Sequence, residues 1–268
     1  MHNYTLSIEE FAFALGTVGG TEAALGFMTS TLGALPDHDR TSRLTAASHS
    51  LLARGLIRYD AAANLRSTEP PFKRMLLGVL QAIATIRCTR VHAGQTDAQT
   101  VFVSPGLAVS SQVINAVTIT LDVVEHWAGC VTRIADFIQA QSDTPAEPIT
   151  LTPVTLLDAL NAAPSPEADG RAETVLRQAN VDPELARRIV QQTRAATMRG
   201  SVLSMRAEDP GLAAEQANLR ADVGFLFSAG PSSGWLFAVE PDKADTVAVY
   251  PATAGAVERV CQTFIPKF

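Results

Sequence analysis

The clearest alternation of apolar and polar positions in the chain is AVTITLDVV, residues 116 to 124. Val117, Ile119, Leu121 and Val123 alternate there with Thr118, Thr120 and Asp122. A period of two puts the apolar set on one face of a strand and the polar set on the other, so one face of this strand is buried and the other is wet. Upstream, ATIRCTRV reads as a strand, HAGQTDAQT as a turn, and TVFVS as a second strand closed by Pro105 and Gly106, with a weaker third strand near SQVIN. Helical spacing brackets this meander. Before it, PPFKRMLLGVLQAI places Phe72, Met75, Leu76, Val79, Leu80 and Ile83 on one stripe, with Pro71 suited to a first turn. After it, EHWAGCVTRIADFI does the same with Trp127, Cys130, Val131, Ile134, Phe137 and Ile138.

The second half runs through the same order. DPELARRIVQQTRAAT predicts a helix with Asp182 as its cap and Pro183 at the first helical position. Four strands follow in GSVLSMRA, VGFLFSAG, GWLFAVEP and TVAVY, and TAGAVERVCQTFI closes with Val257, Val260, Cys261 and Phe264 at helical spacing. VFVSPG and FLFSAG thus fall at equivalent second strands. Matching the halves gives an offset of about 116 at the first strand, about 124 at the second and about 127 at the closing helix. A drift in one direction means residues inserted into surface turns, most of them in EDPGLAAEQANLR, where insertion is cheap. The expected organisation is one unit, residues 1–268, of two degenerate repeats (44–138 and 150–268) joined by a crossing segment at 139–153. That segment, QAQSDTPAEPITLTP, is rich in Pro, Thr and Ser and is expected to be exposed. VTLLDALNAAPSPEADG adds a short helix and then a loop.

The fold class this predicts is α+β, a central antiparallel β-sheet built from two pseudo-twofold-related meander halves and flanked by helical bundles. Joining the halves into one sheet buries a shared core and pairs edges that would otherwise aggregate. The closing helices, with Trp127, Ile134 and Phe137 in one half and Val257, Cys261 and Phe264 in the other, are expected to pack at equivalent positions across the axis.

Composition narrows the function classes. The chain has 268 residues, 47% hydrophobic and 18% charged, with a formal net charge of −6. That balance gives no general affinity for nucleic acid or an anionic membrane. No stretch approaches the roughly 20 apolar residues of a spanning helix. The start, MHNYTLSIEEFAFALGTVGG, lacks a basic leader and reads as neither signal peptide nor anchor. Cys88, Cys130 and Cys261 are odd in number, far apart and set in apolar segments, which predicts reduced core thiols in a cytoplasmic protein.

Motifs that promise chemistry do not carry it. GPSSG, Gly230 to Gly234, matches a nucleophile elbow with Ser232 as nucleophile, but a strand-like segment follows it and no histidine lies beyond His126. Cys88 with His92 and His126 with Cys130 have zinc-ligand residue types, yet positions 88 and 92 of one strand lie roughly 13 Å apart. GTVGG lacks the Lys and Ser/Thr of a phosphate loop and reads as a helix end or turn. No acid–base pair is placed in one site. The expectation is a non-enzymatic protein with no cofactor and no metal.

A second reading starts from RTSRLTAASHSLLARGLIRYDAAANL, which has the look of a recognition helix followed by a wing. From Arg40 to Arg74 seven basic residues, Arg40, Arg43, Arg54, Arg58, Arg66, Lys73 and Arg74, stand against Asp60 and Glu69. A winged-helix-type DNA-binding transcriptional regulator would use Arg54 and Arg58. Plain packing of Leu44, Leu51 and Leu52 on a core accounts for the same helix.

LTAASHSLLARGLIRYDAAANLRSTEPPFKRMLLGVLQAI resembles the EspG family of secretion-associated proteins, in which a helix ending in a similar L..RGL phrase precedes a second helix and a strand. The likeness continues through both meanders and the closing helices, over about residues 44 to 138 and 182 to 265. It implies a mixed fold of pseudo-twofold halves and a non-enzymatic cytoplasmic adaptor or chaperone that binds helical PE/PPE-type cargo of type VII secretion systems. The loop after the second strand of the first half approaches cargo in that family. Here it is SPGLAVSSQV, which makes Leu107, Val109 and Val113 candidate partner contacts; as members of an ordinary third strand they would be packing residues instead. A protein partner is expected, with a homodimer as a further form, and no membrane. The first 40 residues match nothing in the resemblance.

Overall fold

The computed structural model describes residues 3–60, 65–114, 117–141, 148–162, 169–207, 219–231, 233–240 and 243–264. The chain begins with β1 (Asn3–Ser7), α1 (Ile8–Gly19), α2 (Thr21–Leu32) and α3 (Asp37–Ala53), then a hairpin of β2 (Ile57–Asp60) and β3 (Leu65–Thr68), then α4 (Pro70–Leu80). The first meander is β4 (Ala84–His92), β5 (Gln95–Ser104), β6 (Leu107–Ile114) and β7 (Thr118–Val124), closed by α5 (Trp127–Ile138). β8 (Ile149–Leu151) and the helices α6 (Pro153–Ala162), α7 (Asp169–Gln178) and α8 (Pro183–Ala195) follow. The second meander is β9 (Met198–Ala207), β10 (Leu219–Ala229), β11 (Gly234–Glu240) and β12 (Lys243–Pro251), closed by α9 (Ala254–Phe264).

Ten of these strands form one antiparallel sheet in the order β1-β7-β6-β5-β4-β9-β10-β11-β12-β8. The meanders meet edge to edge through β4 and β9, whose register runs from Ala84 opposite Arg206 to His92 opposite Met198. The fold is therefore α+β, with nine helices and a ten-stranded antiparallel sheet among the described residues.

Local chemistry sets the element ends. Ser7 and Glu10 form a reciprocal capping box at the start of α1, in which Ser7 Oγ accepts from the Glu10 amide and the Glu10 carboxylate accepts from the Ser7 amide. α4 starts on two prolines with the Glu69 carboxylate accepting from the Phe72 amide, and α8 starts on Pro183 with Asp182 accepting from Glu184 and Leu185. Gly106 has φ +72° and follows Pro105, the residue order of a turn that needs a left-handed third position.

Several expectations are corrected. HAGQTDAQT is not a turn: only Ala93 and Gly94 turn, both with positive φ, and β5 begins at Gln95. Two left-handed residues give the tight hairpin whose twist matches its strands. Ile83 lies beyond α4 and bonds to Val103 instead. Of the crossing segment 139–153, residues 142–147 lie outside the described residues, while 149–151 are ordered as strand β8, paired with Val247–Val249 of β12. α7 starts at the last two positions of the expected loop and runs on through residues to which the sequence reading assigns no element, and the first 40 residues supply an edge strand and two helices.

Three cores fill the fold. The largest lies between one face of the sheet and the packed pair α5 and α9; it draws on both meanders, from Ile86, Cys88 and Val101 to Val202, Phe225 and Leu236. A second joins β1, β6 and β7 to α1, α3 and α4, and a third joins β11 and β12 to α6, α7 and α8.

Candidate functional site

Following the pairing register across the sheet shows how these cores share its two faces. One lateral row crosses all ten strands: Leu6, Ile119, Val113, Ala98, Thr89, Ser201, Leu226, Phe237, Val249 and Ile149. Residues in one such row point to one face. Leu6 and Ile119 at one end are packed in the core under α1 and α4, and Phe237 and Val249 at the other in the core under α6 to α8. The middle of the row is outside every core. Helices thus cover both ends of this face, while α5 and α9 cover the opposite face.

What remains is an open strip on β4, β9 and β10 between two helical walls. It is unusually apolar for a wetted sheet surface: Leu203 is 41% exposed, Leu226 52% and Val91 51%. Gly224 lies directly opposite Leu203, and a β-carbon there would come 2.1 Å from the Val202 carbonyl oxygen and 2.8 Å from Leu203 Cδ2, so the close approach of β9 and β10 at this point needs glycine. Polar groups lie among these side chains on both β4 and β9. Arg87 pairs with Leu203 across the meander junction and is exposed, Thr89 and Ser201 share a hydroxyl hydrogen bond of 2.9 Å, and Arg199 donates to the Thr193 carbonyl of α8 at 3.1 Å. The strip therefore presents leucine surface beside a guanidinium.

The residues singled out from sequence fall on this same face, since Leu107, Val109 and Val113 are alternate residues of β6. Their exposure differs. Val109 is fully buried beneath α4, and Leu107 packs with it against Gly78, where a β-carbon would come 2.7 Å from Leu107 Cδ2. Only Val113, half-buried, lies outside that core, with Ala98 of β5 between it and the open strip. Leu203 and Leu226 escaped the sequence reading because their segments look like any buried strand.

The basic segment resolves into internal partnerships. Arg54 donates to both Glu10 oxygens, at 3.0 and 3.1 Å, and to the Thr5 carbonyl at 2.8 Å. Arg43 pairs with Glu9 at 2.8 Å and Arg40 with Asp37 at 2.7 Å. The Arg66 guanidinium lies over the Phe13 ring. These carboxylates lie outside the Arg40–Arg74 window, so the local charge excess shrinks once the chain folds. Arg58 stands exposed on β2. Burial pushes the Glu10 carboxyl up, but hydrogen bonds from Ser50, the Ser7 amide and Arg54 outweigh it and hold the group below the ordinary carboxylate value.

The three thiols are free and buried in the central core, with burial pushing Cys130 up to about 12 and Cys88 and Cys261 higher than a normal thiol. Among the described residues no group of three or more His, Cys, Asp or Glu is placed to hold a metal ion, and no helix is long and apolar enough to cross a membrane. Ser232 lies outside the described residues; around it Gly230 bonds to Ser233 and β10 turns back into β11, so the motif joins strand to strand.

No protein-family profile matches the sequence, and no curated protein does. Among solved structures, the chain is similar to the Mycobacterium tuberculosis type VII secretion system chaperone EspG5, determined in complex with the PE25–PPE41 dimer. The superposition has a TM-score of 0.69 at 11% identity and covers 98% of this chain and 96% of that one. The match runs over nearly the whole length of both: the chain has the fold of EspG5.

Proposed function

We propose that the protein is a non-enzymatic cytoplasmic adaptor of the EspG type, a chaperone that holds a helical PE/PPE-like cargo of a type VII secretion system on the open strip of its sheet. The end-to-end likeness to EspG5 carries this reading, and the exposed Leu203, Leu226 and Arg87 give it a surface. Helical cargo needs an apolar, fixed platform, and a sheet face walled by helices supplies one without any moving part. Of the residues taken from the family resemblance, Val113 is the one we place at the edge of the contact.

We also read the chain as one unit of two pseudo-twofold halves. Register supports this. Matching Ile86 to Val202 and Val101 to Phe225 turns one bonded pair of the first meander into a bonded pair of the second, and Ala84 and Val103 map in the same way onto Gly200 and Phe227. The axis then passes between Arg87 and Leu203, which face each other across the junction. α5 and α9 touch and share the central core, with Ile134 and Cys261 both fully buried; the side chain of Phe264 lies outside the described residues.

The test is co-expression with each PE–PPE pair encoded in the source genome, followed by size-exclusion chromatography with light scattering. A ternary complex that is lost on Leu226→Asp, in a variant with an unchanged melting point, is the expected result. Failure of every pair to bind, or binding indifferent to Leu226→Asp and Leu203→Asp alike, would refute the reading.

A further inference from the structure

We propose that the groove bounded by α1, α2, α3 and the β2–β3 hairpin is a second interaction surface, and that it takes an amphipathic helix carrying carboxylates beside its apolar stripe. The groove has a volume of about 640 Å³, and none of its lining residues belongs to the ten-stranded sheet. It is therefore separate from the open strip, and its existence does not rest on the cargo reading.

Three observations fix the occupant. The first is the α3 wall, where Leu44, Ser48 and Leu52 lie at spacings of four and face the groove, with Leu52 36% exposed. Residues four apart form the ridge that packs against a second helix, and this ridge runs about 12 Å, two turns. Along the ridge Ser48 is buried, Leu44 half-buried and Leu52 exposed, so its C-terminal turn is the part left open to a partner. Here α3 rests on α1 through Ala47 and Leu51, one residue to the side.

The second is the floor. A β-carbon on Gly16 would come 2.9 Å from Ala24 Cβ, so α1 and α2 approach through small residues and leave a shallow trough in which another helix can lie. The third is charge. Tyr59 and Arg66 are cross-strand partners on the hairpin wall, both exposed, and no carboxylate is among the described lining residues. The exposed Arg66 guanidinium lies over the Phe13 ring, 5.3 Å from its centroid, a cation–π contact that holds the charge at the rim. A guanidinium held in this way favours a planar carboxylate taken by two parallel hydrogen bonds. Apolar ridge, trough and cationic rim together match the helix-in-groove mode of recognition with an acidic partner.

The test uses two labelled helical peptides of about 18 residues, each with leucine at every third or fourth position on one face; one carries glutamates on the flanks and the other lysines at the same positions. Fluorescence anisotropy with the full chain is expected to show binding of the glutamate peptide at least tenfold tighter than of the lysine peptide. Leu52→Asp should weaken it at least tenfold, and Arg66→Glu should invert the preference so that the lysine peptide binds better. Leu226→Asp, on the sheet face, should change neither. Arg66 is a surface residue, so the charge-reversal arm stands even if Leu52→Asp perturbs folding. Equal binding of both peptides, absence of binding by both, or a loss caused by Leu226→Asp in place of Arg66→Glu would overturn the proposal.

Discussion

Replacing Glu10 by alanine removes a carboxylate that serves three elements at once. Its oxygens accept from the Ser7 amide at 2.8 Å, from the Ser50 hydroxyl at 2.6 Å and from Arg54 at 3.0 Å, so β1, α1 and α3 meet on one side chain. Loss of the capping box costs about 1 kcal/mol. The Ser50 bond to a charged acceptor adds about 1.5 kcal/mol. Arg54 keeps 39% of its side-chain surface in water, so the ion pair itself is screened and adds no more than about 1 kcal/mol. Glu10→Ala should therefore destabilise the fold by about 3 kcal/mol, a fall in melting temperature of about 6–10 °C for a chain of this size. In a double-mutant cycle with Arg54→Ala the coupling energy should be about 1 kcal/mol. The pH dependence has a definite sign. The folded-state pKa of Glu10 is depressed, so its contribution is fully present above the unfolded value near 4.3 and disappears as pH falls through the lower folded value. The gap between wild type and Glu10→Gln in thermal or urea unfolding should thus close on acidification. A melting point for Glu10→Ala within about 2 °C of wild type would refute the structural role, which corresponds to less than about 1 kcal/mol. So would a gap that widens in acid. An Arg54→Ala variant that is unaltered in stability yet loses duplex DNA binding would instead restore the DNA-binding reading of that arginine.

Two further outcomes follow from the central core. The three thiols should not react with a thiol-exchange reagent in the native protein and all should react in denaturant, and stability should decline as pH rises above about 8.5, because only the unfolded state ionises its thiols there. Equilibrium unfolding followed by thiol titration checks both, and any native-state labelling of Cys88 would contradict the packing. Gly200→Ala should cost about 2–3 kcal/mol, since its β-carbon would meet the Thr89 carbonyl oxygen and the Phe227 ring, the latter at 2.6 Å. A shift of less than about 0.5 kcal/mol in urea unfolding would show that β4, β9 and β10 are not so closely joined there.

The elements legible in the sequence were those with a long run of one period. β7 has a clean alternation and α5 a full apolar stripe, and both lie where the residues place them. β1 and β8 were not legible because five and three residues are too few for a period, and their existence depends on an edge provided by β7 and β12. The β4–β5 hairpin was misread because Ala93, not Asn or Gly, takes the first left-handed position of its turn. Arg54 looked like an unpaired charge because its partner Glu10 lies 44 positions away, beyond any local count. The open strip was hidden for a related reason. Leu203 and Leu226 sit in runs as apolar as those of buried strands, and only the placement of helices decides which strand faces are covered.

That placement has a simple origin in the order of elements. Each meander is preceded by a group of helices and followed by one: α1 to α4 before and α5 after the first, α6 to α8 before and α9 after the second. The preceding group of each meander packs over its outer strands, β6 and β7 in one case and β11 and β12 in the other, because β1 and β8 enter the sheet at those outer edges and tether the groups there. The following helices take the opposite face and close it by packing on each other. Joining the meanders through β4 and β9 then leaves the innermost strands covered on one side only. Their other side is held flat by neighbours on both edges and walled by helices at both ends, which is why apolar side chains can stand exposed there without offering a free strand edge for aggregation. The exposed strip at the junction is thus a consequence of topology, and Arg87 on β4 and Leu203 on β9, which face each other across it, place a guanidinium beside an apolar side chain at its centre.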